Sequence, residues 1–320
     1  MLGRTGISVS ELCLGAMMFG AWGNKDQDDS IRIIHRALDA GINFIDTADV
    51  YAQGESEEIV GRALAGGRRD QVVLATKVHG QMGDDPNAQG NSRRWIIREC
   101  DASLRRLQTD WIDLYQIHRS DPSCDVDETL GALTDLVRAG KIRAFGSSTF
   151  PPSQIVEAQW VAERRGRERF VCEQPPYSLL VRGVETEVLP VCQKYGMGVI
   201  PWSPLAQGFL SGAYRRGQAA PPGTRASRQD MTLPVNQRKL DAVEALSQLA
   251  FVLQHPAVTA AIIGPRTMEH LESQLGAAEV SLDQATLDRI DEIVPPGTNV
   301  NPGDAGWTVP EIADSRLRRR

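Results

Sequence analysis

Short, almost continuous apolar runs alternate along the chain with longer segments in which apolar residues recur at helical spacing. Strands buried on both faces give the first pattern, and amphipathic helices give the second. The apolar runs predict eight strands, at Glu11–Gly15, Ile42–Asp46, Val72–Lys77, Ile112–His118, Ala144–Ser147, Val171–Gln174, Gly198–Trp202 and Ala260–Gly264.

A helical segment follows each predicted strand. These helices are expected at Asp28–Ala40, Ser56–Leu64, Ser92–Leu107, Val126–Ala139, Pro152–Arg164, Val184–Tyr195, Val235–Val252 and Thr267–Leu275. Eight successive strand–helix units are typical of an α/β fold of the (β/α)8 TIM barrel type, and we expect one barrel domain over residues 1–320.

Several segments lie outside the eight units. Leu2–Val9 is expected to form an N-terminal hairpin that closes the bottom of the barrel, and Ser281–Val294 an extra C-terminal helix. The segments His79–Asn91 and Ser203–Pro234 are rich in turn-forming residues, so they are predicted to be loops. Both follow predicted strands, which places them at the end of the barrel where TIM-barrel enzymes carry their active sites.

Composition narrows the function classes. The net charge of −6 and the pI near 5.5 provide no basic surface for nucleic acid. No apolar run approaches the ~18 residues of a membrane span, and no signal peptide is evident, so a cytoplasmic protein without a membrane partner is expected. Five cysteines without a CxxC spacing predict ordinary reduced thiols rather than a disulfide framework or a zinc site.

Polar residues end three consecutive predicted strands: Asp46, Lys77 and His118. A buried ammonium without a partner costs several kcal/mol, so Lys77 should pair with Asp46 on the neighbouring strand. Tyr51 follows Asp46 closely enough for its phenol to reach the same place. A phenol has a pKa of about 10 and becomes a usable general acid when a cation lowers that pKa. Neutral His118 would donate a hydrogen bond to a substrate carbonyl oxygen.

Each of these residues also has an ordinary interpretation. Asp46 alone is consistent with a turn residue, Tyr51 with a core aromatic, and a strand-end lysine such as Lys77 can extend to solvent. A lone histidine after an apolar strand is more often structural than catalytic. Their joint occurrence on consecutive strand ends favours a catalytic cluster.

The segments Gly41-Ile42-Asn43-Phe44-Ile45-Asp46-Thr47-Ala48-Asp49-Val50-Tyr51, Thr76-Lys77-Val78 and Asp113-Leu114-Tyr115-Gln116-Ile117-His118 closely resemble the aldo-keto reductase superfamily, and the resemblance covers nearly the whole chain. It implies that hydride passes from NADPH to an aldehyde or ketone. It also implies that Asp46, Tyr51, Lys77 and His118 are the catalytic tetrad, with Tyr51 as proton donor.

The resemblance also implies a cofactor site, and no GxGxxG follows a predicted strand to suggest a Rossmann site instead. Ser147, Ser148 and Gln174 match positions that hold the nicotinamide carboxamide, and Trp202 matches the aromatic that stacks on the nicotinamide ring. The loop that cradles the pyrophosphate is matched by Ser203, Leu205 and Gly208.

The adenosine end of the cofactor is assigned by the same resemblance. Arg266 and Thr267 open the eighth predicted helix and look like a clamp for the 2′-phosphate, which favours NADPH over NADH. His270 and Gln274 match further adenosine-side positions. No metal is expected.

The expected substrate is a small aldehyde, ketone or sugar-like carbonyl compound. An aromatic mouth is predicted to be lined by Met18, Phe19, Trp22, Tyr51 and the loop His79–Asn91, with the tail around Trp307 folded over it.

Two other functions stay open. A metal-dependent hydrolase needs converging ligands, but only His118 is clearly at such a position and no HxH is present. The voltage-gated potassium channel beta subunits resemble this superfamily too, so a nucleotide-binding redox-sensing module with little turnover is the alternative. The lack of a long N-terminal extension is expected to argue against channel gating.

Overall fold

A computed structural model describes residues 1–211, 233–245 and 250–306, together with residue 308. Its strands are parallel neighbours in the order β7-β6-β5-β4-β3-β2-β1-β8. They are β1 (Leu12–Gly15), β2 (Phe44–Asp46), β3 (Val73–Val78), β4 (Ile112–Ile117), β5 (Ile142–Ser148), β6 (Cys172–Gln174), β7 (Gly198–Val199) and β8 (Ala261–Ile263).

Backbone hydrogen bonds close the sheet between its two end strands. The amide of Thr259 donates to the carbonyl of Val199 over 2.7 Å, and the amide of Ile262 donates to that of Pro201 over 3.0 Å. These bonds join the β7 and β8 segments, so the eight strands form a barrel. The predicted (β/α)8 fold is confirmed.

Helices alternate with the strands as expected. They are α1 (Gln27–Asp39), α2 (Glu55–Ala63), α3 (Arg93–Leu107), α4 (Val126–Arg138), α5 (Pro152–Arg165), α6 (Val188–Tyr195), α7 (Pro234–Ala245), α8 (Ala250–Gln254), α9 (Met268–Leu275) and α10 (Gln284–Ile293). The predicted helix Val235–Val252 corresponds to α7 and α8, and the residues between these two lie outside the described part. The helix α10 is the extra C-terminal helix. None of the described helices is long and apolar enough to cross a bilayer.

The barrel interior is filled by apolar side chains that range in size from alanine to phenylalanine. Residues on successive strands contribute to it, and Leu2 packs with them without exposure to solvent. The members of this inner core are Leu2, Cys13, Phe44, Ala75, Leu114, Ala144, Cys172, Ile200, Ala260 and Ile262. Because this layer fills the barrel, the polar strand-end residues lie in the layer above it.

The N-terminal segment is a tight turn. The Leu2 amide donates to the Ile7 carbonyl over 2.8 Å, and the Thr5 amide donates to Leu2 over 3.2 Å. The expected hairpin has no strand pairing, because residues 2–7 form the turn itself. The first strand of the described chain begins at Leu12. A Cβ on Gly3 would lie 2.7–2.8 Å from backbone atoms of Val171, Gly196 and Gly198, so the turn does cover the barrel bottom.

Candidate active site

The ammonium group of Lys77 uses all three of its N–H groups. It donates to Asp46 Oδ2 over 2.5 Å, to the carbonyl of Thr47 over 2.8 Å and to the Tyr51 hydroxyl over 3.3 Å. The side chain is fully buried, so no solvent competes for these bonds. The structure thus joins the predicted Asp46, Lys77 and Tyr51 in one cluster.

Two glutamine side chains hold the other oxygen of Asp46. Gln116 and Gln174 donate from Nε2 to Asp46 Oδ1 over 3.1 and 2.9 Å, and Gln174 also donates to Gln116 Oε1 over 3.2 Å. The register pairs Gln116 with Lys77, which puts both on one face of the sheet. Sequence reasoning did not single out Gln116, although a glutamine within an apolar strand was the available signal. The structure buries this amide fully.

A left-handed turn places Tyr51. Ala52 and Gln53 have φ of 49° and 56°, and Gly54 has φ of 96°, after which α2 begins. The turn begins at Tyr51 and leads directly into α2. The Tyr51 ring lies 5.8 Å from the His118 ring, edge to face, and 6.1 Å from the Trp22 ring.

The electrostatics keep Lys77 charged. Burial by itself would lower the pKa of Lys77, but the Asp46 carboxylate and the Tyr51 oxygen more than offset this effect, so the pKa lies above its ordinary value. Burial raises the pKa of Tyr51, and Lys77 lowers it by less. The expectation of a lowered phenol pKa is therefore wrong in its net direction. The phenol is protonated at neutral pH, as a proton donor must be.

The imidazole of His118 is neutral at physiological pH. Burial, together with the positive charges of Lys77 and Arg119, holds the pKa of His118 well below its usual range. Neither of its ring nitrogens bonds to any residue in the described ranges. It therefore has a hydrogen-bond donor available next to the Tyr51 ring.

Thr149 connects two side chains at the rim of the barrel. Its Oγ1 accepts hydrogen bonds from Trp202 Nε1 and from Arg119 Nη1, each over 3.2 Å. Thr149 has φ of 57°, a left-handed conformation that is uncommon for a branched residue. Sequence reasoning identified Trp202 but missed Thr149 and Arg119. Trp202 itself lies past the end of β7 because Pro201, which precedes it, has no amide to donate to a ladder.

Adjacent serines on β5 face opposite sides of the sheet. Ser148 pairs with Gln174 in register, and its hydroxyl donates to the Gln174 carbonyl over 3.0 Å. Ser147 pairs with Glu173, and its hydroxyl donates to the Glu173 carboxylate. The structure therefore brings Ser148 to the cluster and turns Ser147 away from it.

The loop after β7 forms a tight turn with several residues in the left-handed conformation. Ser203 Oγ accepts from the Gln207 amide over 3.0 Å, and Ala206, Gln207 and Gly208 all have left-handed φ. Leu205 anchors the loop by packing against the core. The predicted pyrophosphate residues are thus together on one short loop at the carboxyl end of the barrel.

The start of α9 carries the predicted adenosine-side residues. Thr267 is its N-cap, with Oγ1 accepting from the His270 amide over 3.3 Å, and Arg266 is the half-buried residue before it. Gln274 Oε1 is buried and receives no hydrogen bond in the described structure. An acceptor left in this way is suited to a ligand donor, so the residues fit a nucleotide.

Comparison with known proteins identifies the protein family. The sequence pattern of the Aldo/keto reductase family matches residues 11–295. The chain belongs to this family. It is 41% identical to "Uncharacterized oxidoreductase YrpG" of Bacillus subtilis (strain 168), over 96% of this chain and 98% of that protein.

Two other relatives of this aldo/keto reductase carry more specific names. "Probable voltage-gated potassium channel subunit beta" of Arabidopsis thaliana is 34% identical, over 92% of this chain and 95% of that protein. "Aldo-keto reductase AFTS1" of Alternaria alternata is 33% identical, over 88% of this chain and 87% of that protein. The family and the oxidoreductase class are therefore shown.

The residues predicted to line an aromatic mouth differ in their exposure. Trp22 is 44% exposed and Met18 is half-buried, but Phe19 is wholly buried in the core and does not line the mouth. Phe19 packs in the hydrophobic core because burial of an apolar ring is more favourable than its exposure to water. The predicted cover, Trp307, lies outside the described residues. Among the described residues, no group of three potential metal-ligating side chains occurs.

Proposed function

We propose that the protein is an NADPH-dependent reductase that converts a small aldehyde or ketone to the alcohol. The observation that carries this proposal is the contact of the Lys77 ammonium with both Asp46 Oδ2 and the Tyr51 hydroxyl, at 2.5 and 3.3 Å. A protonated phenol beside a fixed cation can release a proton, because the cation stabilises the phenolate that remains.

The cofactor residues are proposed on the same basis. Ser148, Gln174 and Trp202 would hold the nicotinamide end, and the loop with Ser203, Leu205 and Gly208 would hold the pyrophosphate. Arg266, Thr267, His270 and Gln274 would hold the adenosine end and its 2′-phosphate. When bound, NADPH supplies the hydride that the carbonyl carbon receives.

The side chains of the chain supply the proton and the positioning. Tyr51 gives its hydroxyl proton to the carbonyl oxygen, and its phenolate pairs with Lys77 until a proton from solvent restores it. His118 donates a hydrogen bond to the same oxygen, which orients the carbonyl and stabilises the charge that develops on it. The net reaction consumes one carbonyl compound, one NADPH and one proton, and gives one alcohol and one NADP⁺.

The similarity to the Arabidopsis protein supports a second candidate, a nucleotide-binding module with little turnover. The two functions differ in rate. A reductase turns over many times with its best substrate, at typical values of about 1–10³ s⁻¹, whereas a sensing module retains its nucleotide.

The test is NADPH oxidation measured against a panel of aldehydes, ketones and sugars. We expect steady multiple turnovers with at least one member. Tightly retained nucleotide, with no turnover beyond the first on any carbonyl compound, would favour the binding module.

A further inference from the structure

Arg119 directly follows His118 at the rim of the barrel. Its Nη1 donates to the His118 carbonyl over 2.6 Å and to Thr149 Oγ1 over 3.2 Å, and this threonine oxygen also accepts from Trp202 Nε1. A single guanidinium nitrogen thus donates to both His118 and Thr149, and Thr149 in turn accepts a bond from Trp202. The charge of Arg119 therefore lies between the histidine and the tryptophan of the candidate active site.

This charge has no carboxylate partner within ion-pair distance among the described residues. The Asp46 carboxylate is bonded to Lys77 and two glutamines. Glu173 faces the other side of the sheet, where it accepts from Ser147 and from the Phe150 amide over 3.1 Å. An arginine stays charged in proteins. The rim therefore carries one half-buried positive charge that forms no ion pair with a described carboxylate.

The remaining donors of Arg119 are suited to an oxyanion. Both described hydrogen bonds use Nη1, which leaves Nε and Nη2 without a bond to the described residues. A guanidinium fork binds carboxylate or phosphate oxygens with high geometric specificity. The bonds at Nη1 fix the fork in place, so little side-chain entropy is lost when an anion binds.

We propose that Arg119 is a specificity-determining residue that binds an anionic group on the substrate, so the preferred substrates are aldehydes or ketones that carry a carboxylate or a phosphate ester. This proposal rests on the proposed reductase function. The other positive groups at the site do not serve the same purpose, because Lys77 is saturated by its three acceptors and His118 is neutral.

The experiment compares pairs of substrates in which one member carries an anionic group and the other does not. Reduction of 4-oxobutanoate is compared with that of its methyl ester, and reduction of glycolaldehyde phosphate with that of glycolaldehyde. The ratio of kcat/KM for the charged to the neutral member of each pair is measured in the parent, in Arg119→Gln and in Arg119→Lys. Arg94→Gln, which removes an exposed arginine of α3, is the matched control.

We expect the parent to prefer the charged member of at least one pair. Arg119→Gln should reduce that ratio roughly 10- to 100-fold, with partial rescue in Arg119→Lys, and Arg94→Gln should leave it unchanged. The pair that responds distinguishes carboxylate from phosphate. Because a ratio is measured, a general loss of activity does not imitate the effect.

A binding measurement provides a second readout. Calorimetry with the NADPH-saturated parent should show tighter binding of unreactive butyrate than of neutral butyramide, or of glycerol phosphate than of glycerol, and Arg119→Gln should abolish the difference. Equal kcat/KM ratios in the parent and Arg119→Gln, with no difference in binding, overturn the proposal. Reduction of the neutral aldehydes by the parent would then still stand as evidence for the reductase function.

Discussion

The ammonium nitrogen of Lys77 lies 3.3 Å from the hydroxyl oxygen of Tyr51, inside the barrel rim and beyond the reach of solvent. The other two N–H groups of Lys77 are bonded to Asp46 and Thr47, which fixes the direction of the third. The position of the charge is thus set before any substrate binds. A fixed charge of this kind stabilises a developing phenolate without further reorganisation.

Replacement of Lys77 by methionine should abolish carbonyl reduction and also destabilise the protein. Methionine roughly keeps the length of the stem but leaves the Asp46 carboxylate buried without its cation, and breaking a buried pair in this way typically costs about 3–5 kcal/mol. Urea denaturation measures the free energy of unfolding, and single-turnover reduction measures the activity.

Two controls separate stability from catalysis in this experiment. The double variant Lys77→Met/Asp46→Asn should recover part of the lost stability, because no charge is left unpaired, but no activity. Lys141→Met, which breaks the partly exposed pair with Asp101, should change the stability by less than about 1 kcal/mol. Wild-type rates in Lys77→Met would contradict the role of Lys77.

Glu173 should make the stability of the protein depend on pH. Burial raises the pKa of Glu173 from 4.5 to about 7. Between these values the folded protein keeps a proton that the unfolded chain releases, so stability is highest below the unfolded pKa and is lost as pH rises through about 7, by roughly 3 kcal/mol.

The isosteric variant Glu173→Gln has no proton to lose at this position. Its free energy of unfolding, measured at about pH 5 and about pH 8, should therefore fall less with rising pH than that of the parent. The comparison uses the change in the free energy of unfolding with pH within each protein. A constant effect of an altered bond to Ser147 therefore cancels to first order. Parallel pH profiles would show that Glu173 does not titrate in this range.

Arg266 should set the preference for NADPH over NADH. A charge-assisted bond to the 2′-phosphate contributes about 1.5–3 kcal/mol, so Arg266→Ala should lose roughly 10- to 100-fold in NADPH affinity and little in NADH affinity. Fluorescence titration measures both. Arg289→Ala, which alters an exposed arginine of α10, is the control. Equal affinities for the two cofactors in the parent would refute the assignment.

The sequence allowed the barrel and a polar cluster at the strand ends to be predicted for related physical reasons. Buried parallel strands require apolar residues, so Asp46, Lys77 and His118 are conspicuous at the strand ends. Neighbouring serines cannot be assigned to a face in this way, because side chains alternate along a strand and a shift of one residue reverses the face. Only the observed pairing of Ser147 with Glu173 shows that Ser147 faces away.

Other features of the site depend on the folded chain as a whole. Thr149 matters through a left-handed backbone and through contacts with Trp202 and Arg119, residues distant in sequence. The pKa of Tyr51 rises because burial outweighs the effect of Lys77. Neither the contacts of Thr149 nor the pKa of Tyr51 can be evaluated before the surroundings of each side chain are known.

The central claim is that the Tyr51 hydroxyl gives its proton to the carbonyl oxygen. Tyr51→Phe removes this proton and keeps the ring that packs against Trp22 and His118. Tyr115→Phe is the matched control, since the Tyr115 hydroxyl is buried without a partner in the described structure and lies in the core. Its removal should leave the rate unchanged.

The decisive measurement is the single-turnover rate of carbonyl reduction with saturating NADPH, so that product release cannot mask the chemical step. Tyr51→Phe should reduce this rate by roughly 10²–10⁴-fold, with NADPH affinity little changed. A rate within a few-fold of the parent would contradict the account, because Tyr51 would then not be the proton donor.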